Sequence, residues 1–215
     1  MKKPFPRVIM IIISVIAGVA ISSAFFVAAG ISIFGRTPEK QPVSGDVSNA
    51  ELTALAYGVL DYIKDGDYEA LSLLAHPELG VVFSPSATVT LSTNRRFSAE
   101  QIAGFDNDST VYIWGVFNGS GEPIEMTLDE YFAEFVFPRD YRGASVIGIN
   151  RIVRTGNALE NITDVFPDAK FVDFHIPGGE RDPTEELDWS SLRLGFEEYD
   201  GSLWLTAIIN SRWTV

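Results

Sequence analysis

The segment FVDFHIP, residues 171–177, sets an aspartate and a histidine two positions apart in a stretch that reads as a β-strand. Successive strand side chains alternate between faces, so Asp173 and His175 share a side with Phe171, while Val172, Phe174 and Ile176 take the other. A carboxylate and an imidazole held together suit proton transfer when they are sheltered, and are unremarkable when they meet water. Only one of the two faces is expected to be packed. Ordinary strand alternation favours a solvated face for Asp173 and His175, with Arg193 as a cross-strand neighbour.

Other chemistry is sparse. There is no cysteine, which removes disulfides, thiolate zinc sites and cysteine nucleophiles together. His76 stands before Pro77 at the expected end of a helix, where it can bond the last free carbonyls of that helix. With two histidines in the chain and no HExxH spacing, no metal is expected. The acidic runs at 65–70 and 106–110 miss the calcium-loop template, having Ala70 and Val111 at its glycine position and His76 and Phe117 at its final glutamate. They suit turns and caps better. No nucleophile elbow, phosphate loop or dinucleotide fingerprint is present, and no cofactor is expected. Trp114, Trp189, Trp204 and Trp213 read as core residues before they read as a sugar-stacking platform.

The elements that must position these residues begin with a membrane segment. Val8 to Phe34 holds no charged residue; at about 1.5 Å per residue it can span the roughly 30 Å hydrocarbon layer. A secretory signal has an apolar region of only about 7–15 residues, so a retained anchor is expected, although Val27-Ala28-Ala29 suits signal peptidase. Lys2, Lys3 and Arg7 precede the helix, which keeps the N-terminus cytoplasmic and exports the remainder. The expected organisation is an anchor with a short cytoplasmic tail over 1–35, a linker over 36–47 and an extracytoplasmic domain over 48–215. Ser14, Gly18 and Ser22 recur every four residues, as do Ala20, Ala24 and Ala28, a spacing that permits helix pairing in a homodimer, although small residues are common in membrane helices and a lone anchor is favoured. Residues 41–215 hold 11 basic against 28 acidic residues, a formal charge of −17. With so few and such scattered cations, no nucleic acid partner is expected.

Within the domain, Ser48 and Glu51 form a capping box for a helix ending at Lys64-Asp65-Gly66, and Asp67 caps a second helix that runs to His76. VVFSP and ATVTLS read as strands. Ser98 starts a short helix, TVYIWGVF is a strand turned by NGSGEP, and Thr127 to Glu130 open a helix burying Leu128, Tyr131, Phe132 and Phe135. Four β segments follow: ASVIGINRIV, KFVDFHIP, SSLRLGFEEY and SLWLTAIINSRWTV. The last two are joined at Asp200-Gly201, the strongest hairpin signal in the chain. RTGNALENITDVFPD, between the first two, reads as a loop with a helical turn. Early helices and late antiparallel strands make an α+β domain, with helices packed on one face of a curved, mainly antiparallel sheet.

LDYIKDGDYEALSLLAHPELGVVFSP, WGVFNGSGEPIEMTLDEYF and DWSSLRLGFEEYDGSLWLTAIINSRWTV together resemble an uncharacterised group of bacterial exported or anchored proteins. In outline they are similar to the nuclear-transport-factor-like, cystatin-like cone superfamily, over residues 48–215. The resemblance implies an apolar cavity between helices and sheet, but no particular reaction, because such cones serve as enzymes and as binding or dimerising modules. By analogy with its catalytic members, His175 would be the base, Asp173 its orienting partner or a second base, and Tyr112, Trp114 or Arg193 the ligand-holding groups. Three functions are open: a non-catalytic anchored module binding a small molecule or a protein, which is favoured; a cone-type isomerase, dehydratase or hydrolase; and an envelope subunit that dimerises through its sheet.

Overall fold

The computed structural model describes residues 48–179 and 186–214. The expected anchor and linker lie outside the described residues. Among the described residues, no helix is long and apolar enough to cross a membrane.

Helix α1, Asn49–Asp65, starts where expected: Glu51 N donates to Ser48 Oγ at 3.2 Å, and Ser48 N donates to the Glu51 carboxylate at 2.9 Å. It stops at Gly66, whose left-handed φ of 67° closes the last turn. Leu52, Ala56, Val59, Leu60 and Ile63 form its buried stripe. Helix α2, Tyr68–Ser72, begins at the Asp67 cap but ends short of His76. The sheet competes for its backbone there: Leu205 N donates to Leu74 O at 2.8 Å and His76 N donates to Leu205 O at 2.9 Å.

Six strands form the main sheet: β1 (Val81–Ser84), β2 (Arg95–Phe97), β5 (Val146–Ile149), β6 (Lys170–Ile176), β7 (Ser190–Tyr199) and β8 (Ser202–Arg212). Their order is β2-β1-β8-β7-β6-β5, with β1 and β8 parallel and every other neighbouring pair antiparallel. The β7–β8 hairpin turns at Asp200 and Gly201, both at positive φ, as the dipeptide predicts. A register shift at Gly195/Phe196 bends that long pair. Strands β3 (Tyr112–Val116) and β4 (Pro123–Met126) make a separate hairpin.

Two short helices sit beside these strands. Helix α3, Ala99–Ala103, carries the expected Ser98–Gln101 capping box. Helix α4, Leu128–Tyr131, is opened by Thr127 and runs into a π-helical turn, Phe132–Val136, closed by Phe137 N on Phe132 O at 2.7 Å. All four side chains expected to be buried along it are buried.

The ATVTLS segment is not a strand. Its backbone pairs with side chains instead: Val89 N donates to Asn161 Oδ1 at 2.8 Å, and Asn161 Nδ2 donates back to Val89 O at 2.9 Å. Arg95–Phe97 forms the edge strand, too short for alternation to have revealed it.

One expectation about packing is overturned. Both faces of the sheet are covered, where only one was expected to be. On the first face, Phe83, Val172, Phe174, Leu192, Leu194 and Ile208 pack with α1 and the aromatic residues of the α3 and α4 regions. On the second, Val82, Phe171, Ala207 and Ile209 pack with Val89, Ile162 and Phe166. The cover on this side is a strap, residues 150–169, which leaves β5, crosses β6 and β7, and contains the expected helical turn, α5 (Ile162–Val165). Asn150 docks its start, with Asn150 N on Phe171 O and Phe171 N on Asn150 Oδ1, each at 2.8 Å.

Glycine substitutions separate these constraints. At Gly80, φ is +66° and a Cβ would lie 2.3 Å from Phe97 O; Gly80→Ala should lose about 1–3 kcal/mol. In α1, a Cβ at Gly58 meets nothing within 4 Å; Gly58→Ala should gain about 0.5–1 kcal/mol. Urea midpoints compared at equal slope check both.

Candidate functional site

The second face holds the polar side chains that the sequence singled out. The β6–β7 register sets Asp173 opposite Arg193 and His175 opposite Ser191. Asp173, Ser191 and Arg193 have no exposed surface, and His175 is 5% exposed. The solvated reading of this face is therefore wrong: the strap shields these groups.

Arg193 is the centre of the cluster. Its Nε lies 3.3 Å from Asp173 Oδ2, while Nη1 and Nη2 grip the two oxygens of Glu160, with Nη2 at 3.2 Å from Oε1. Ser211 Oγ donates to Glu160 Oε1 at 3.3 Å, and Val153 N donates to Asp173 Oδ2 at 2.8 Å. Glu160 and Val153 both belong to the strap, so the buried guanidinium joins sheet to cover. Asp173 Oδ1 has no hydrogen-bond partner within the protein. Burial pushes the Asp173 carboxyl above the usual carboxylate range, against the opposing pull of the Arg193 guanidinium and the Val153 N–H.

His175 sits at the end of the same cluster. Its Nδ1 is 2.9 Å from Ser191 Oγ, and its ring packs against Trp189 at a centroid distance of 5.7 Å. The Arg154 guanidinium covers Trp189 at 5.4 Å and pairs with Glu186 at 3.3 Å. Burial, with a smaller contribution from the Arg154 charge, lowers the His175 pKa below its ordinary 6.5.

Tyr112 and Trp114 do not join this group. They belong to the cluster on the opposite face, which contains no part of the Asp173 network. Trp114 stacks on Tyr131 with ring centroids 3.7 Å apart and donates Nε1–H to Met126 O at 2.9 Å. Tyr112 donates its hydroxyl to Asp108 at 2.7 Å beneath the Arg95 guanidinium. Between helices and sheet, where an apolar cavity was expected, the rings of Phe97, Phe105, Trp114, Tyr131 and Phe132 surround Phe83 at centroid distances of 5.8–6.4 Å. Around Phe83 the space is therefore taken by packed rings.

Of the five residues named from sequence, Asp173, His175 and Arg193 come together, while Tyr112 and Trp114 lie elsewhere. Glu160, Ser191 and Ser211 were missed, and Trp189 was named only as a core residue or part of a stacking platform. Ser191 and Ser211 follow once the Asp200-Gly201 turn sets the β7–β8 register and β6 is laid beside it, whereas Glu160 lies in a loop that shows no periodicity.

His76 does not bond the carbonyls of α2. Its Nδ1 accepts from Glu78 N at 3.2 Å and Leu79 N at 3.0 Å, which places the ring proton on Nε2. The acidic runs serve as caps and turns: Asp67 accepts from Ala70 N and Asp108 from Thr110 N, each at 2.9 Å. Among the described residues no cluster of three or more His, Asp or Glu could hold a metal ion.

No family model matches the chain, and no curated protein does. Two solved structures align over most of it. One is a Xanthomonas campestris protein provisionally described as a calcium/calmodulin dependent protein kinase II association domain: 15% identity, 83% of this chain, 97% of the other, TM-score 0.31. The other is an NTF-2 like protein of unknown function from Shewanella oneidensis MR-1: 13% identity, 77% and 99% coverage, TM-score 0.32. At these scores neither neighbour lends this chain a role.

Removing one partner of a buried ion pair strands the other. Arg193→Met should cost about 3–5 kcal/mol, and adding Asp173→Asn with Glu160→Gln should restore part of that loss in urea unfolding. His175 has a folded pKa below its unfolded one, so the unfolded chain takes up the proton first and stability should fall as pH drops through about 6.5. His175→Gln should flatten that limb when melting temperature is followed against pH.

Proposed function

We propose that the chain is a membrane-anchored, extracytoplasmic module that binds a partner and catalyses nothing. The observation that carries the non-catalytic half is the closure of the Asp173 cluster. A general base must reach its substrate, whereas His175 is buried beneath the strap and Asp173 is wholly buried and committed to Arg193 and to a strap N–H. The aromatic packing of the first face supports the same reading, because rings close around Phe83 in the region where the resemblance implied an apolar cavity. Binding then falls to the outer surface. Dimerisation through a sheet face finds less support, since each face is covered from within one chain.

The anchoring and export half rests on the apolar run from Val8 to Phe34 and the cations that precede it. The acidic excess of the domain fits a body kept soluble and away from anionic lipid.

A second reading, a cone-type enzyme, draws on one contact. Ser191 Oγ at 2.9 Å from His175 Nδ1 is the pairing of a nucleophile with its base, and Asp173 stands on the same strand face. It would require the strap to open.

The absence of cysteine makes topology directly testable. Ser92→Cys, at an exposed position, should react with a membrane-impermeant maleimide in intact cells or spheroplasts. Labelling that appears only after lysis would place the domain inside and sink the proposed location.

A further inference from the structure

The β3–β4 hairpin carries a surface feature that neither its own stability nor the buried cluster explains. In β3, Tyr112 and Trp114 point into the aromatic core, so plain alternation would send Val116 inward as well. It does not go inward. Ile113 pairs with Glu125 and Val116 with Pro123, so three steps along β3 match two along β4. That mismatch is a β-bulge. Pro123 and Glu125 are two apart and share a face, and cross-strand partners share a face, so the bulge turns Val116 out beside Ile113. The two aliphatic side chains are 47% and 48% exposed, and Val111 and Phe117, at either end of the strand, are exposed as well.

The bulge depends on Gly115. Its φ is +148°, and a Cβ there would stand 3.1 Å from the Asn94 amide and 3.3 Å from the Pro85 ring. The far edge of β3 is already sealed, with Arg95 Nε bonded to Ile113 O at 2.9 Å and Asn94 Nδ2 to Trp114 O at 3.3 Å. On the β3 side the hairpin therefore offers a partner its outward side chains.

Charge identifies the kind of partner. Next to Glu125 a groove of about 440 Å³ runs between β4 and the helix after it, lined by Glu125, Met126, Glu130, Ala133 and Glu134. Glu134 is neutralised by Arg212 at 2.7 Å, whereas Glu130, which caps its own helix through Thr127 N at 2.9 Å, has no cation paired with it among the ion pairs of the described residues and keeps its charge. That leaves two carboxylates beside an apolar strip and a thioether floor. A second copy of this acidic domain would bring like charge to the surface, and anionic lipid or nucleic acid would be repelled in the same way.

We propose that the outer face of the β3–β4 hairpin docks a basic, amphipathic polypeptide segment, with its apolar side chains on Ile113 and Val116 and its lysine or arginine heads at Glu125 and Glu130. This rests on reading the chain as a partner-binding module and supplies the partner's chemistry.

The test uses the full chain in phosphatidylcholine nanodiscs and a short fluorescent peptide alternating lysine with valine. Anisotropy should show saturable binding, weakened at least tenfold by the double change Ile113→Ser and Val116→Ser and severalfold by Glu125→Gln, with circular dichroism unchanged. A glutamate–valine peptide should not bind. The proposal is overturned if the lysine–valine peptide fails to bind, if it binds the serine variant as tightly as the native chain, or if a lysine–serine peptide binds equally well, which would reduce the effect to bulk charge. Each of these leaves the maleimide result standing, so loss of the docking face and loss of the proposed location are told apart.

Discussion

A guanidinium with no exposed surface dominates the architecture. Arg193 lies in the middle of β7, where an isolated charge would be strongly disfavoured, and two carboxylates compensate it. One, Asp173, comes from the neighbouring strand. The other, Glu160, comes from the strap and accepts a bidentate grip, the strongest geometry available to such a pair. The strap is thereby held by an electrostatic requirement as well as by the small apolar cluster around Ile162 and Phe166. Taking the strap away would open Asp173, Arg193, His175 and Ser191 to water together.

The two sides of the sheet thus solve the same problem by different means. The first is stabilised by area and by edge-on and stacked rings, in which misplacing any one ring opens a void against several others. The second, polar at its centre, gains specificity of register: sliding β6 by one residue would send Asp173 to the aromatic side, away from Arg193. A sheet buried on both faces needs some such device, because hydrophobic pattern alone does not distinguish one register from the next.

Much of this was legible in the residues. The capping boxes at Ser48, Ser98 and Thr127, the stop at Gly66 and the turn at Asp200-Gly201 are local chemistry, and each appears where its residue types put it. The misses involve long-range partners. Residues 74–76 look helical until β8 claims their backbone, and Val89 looks like part of a strand until the Asn161 amide pairs with its N–H and carbonyl. The site was half legible for the same reason. Asp173, His175 and Arg193 stand out as charged positions in β segments, but the alternation that made their face look wet cannot register a covering loop. Glu160 lies in such a loop, without periodicity, and nothing before the fold connects it to Arg193.

The parallel pairing of β1 with β8 has a bearing on how the domain comes into being. Val82 is matched with Ala207, so an early strand cannot join the sheet until residues 202–212 have been synthesised. Loop closure across that span is entropically slow, and the aromatic side chains gathered around Phe83 stay uncovered in the interval. The main sheet therefore cannot close ahead of its last strand, and the chain must carry these side chains unassembled until residues 202–212 have emerged.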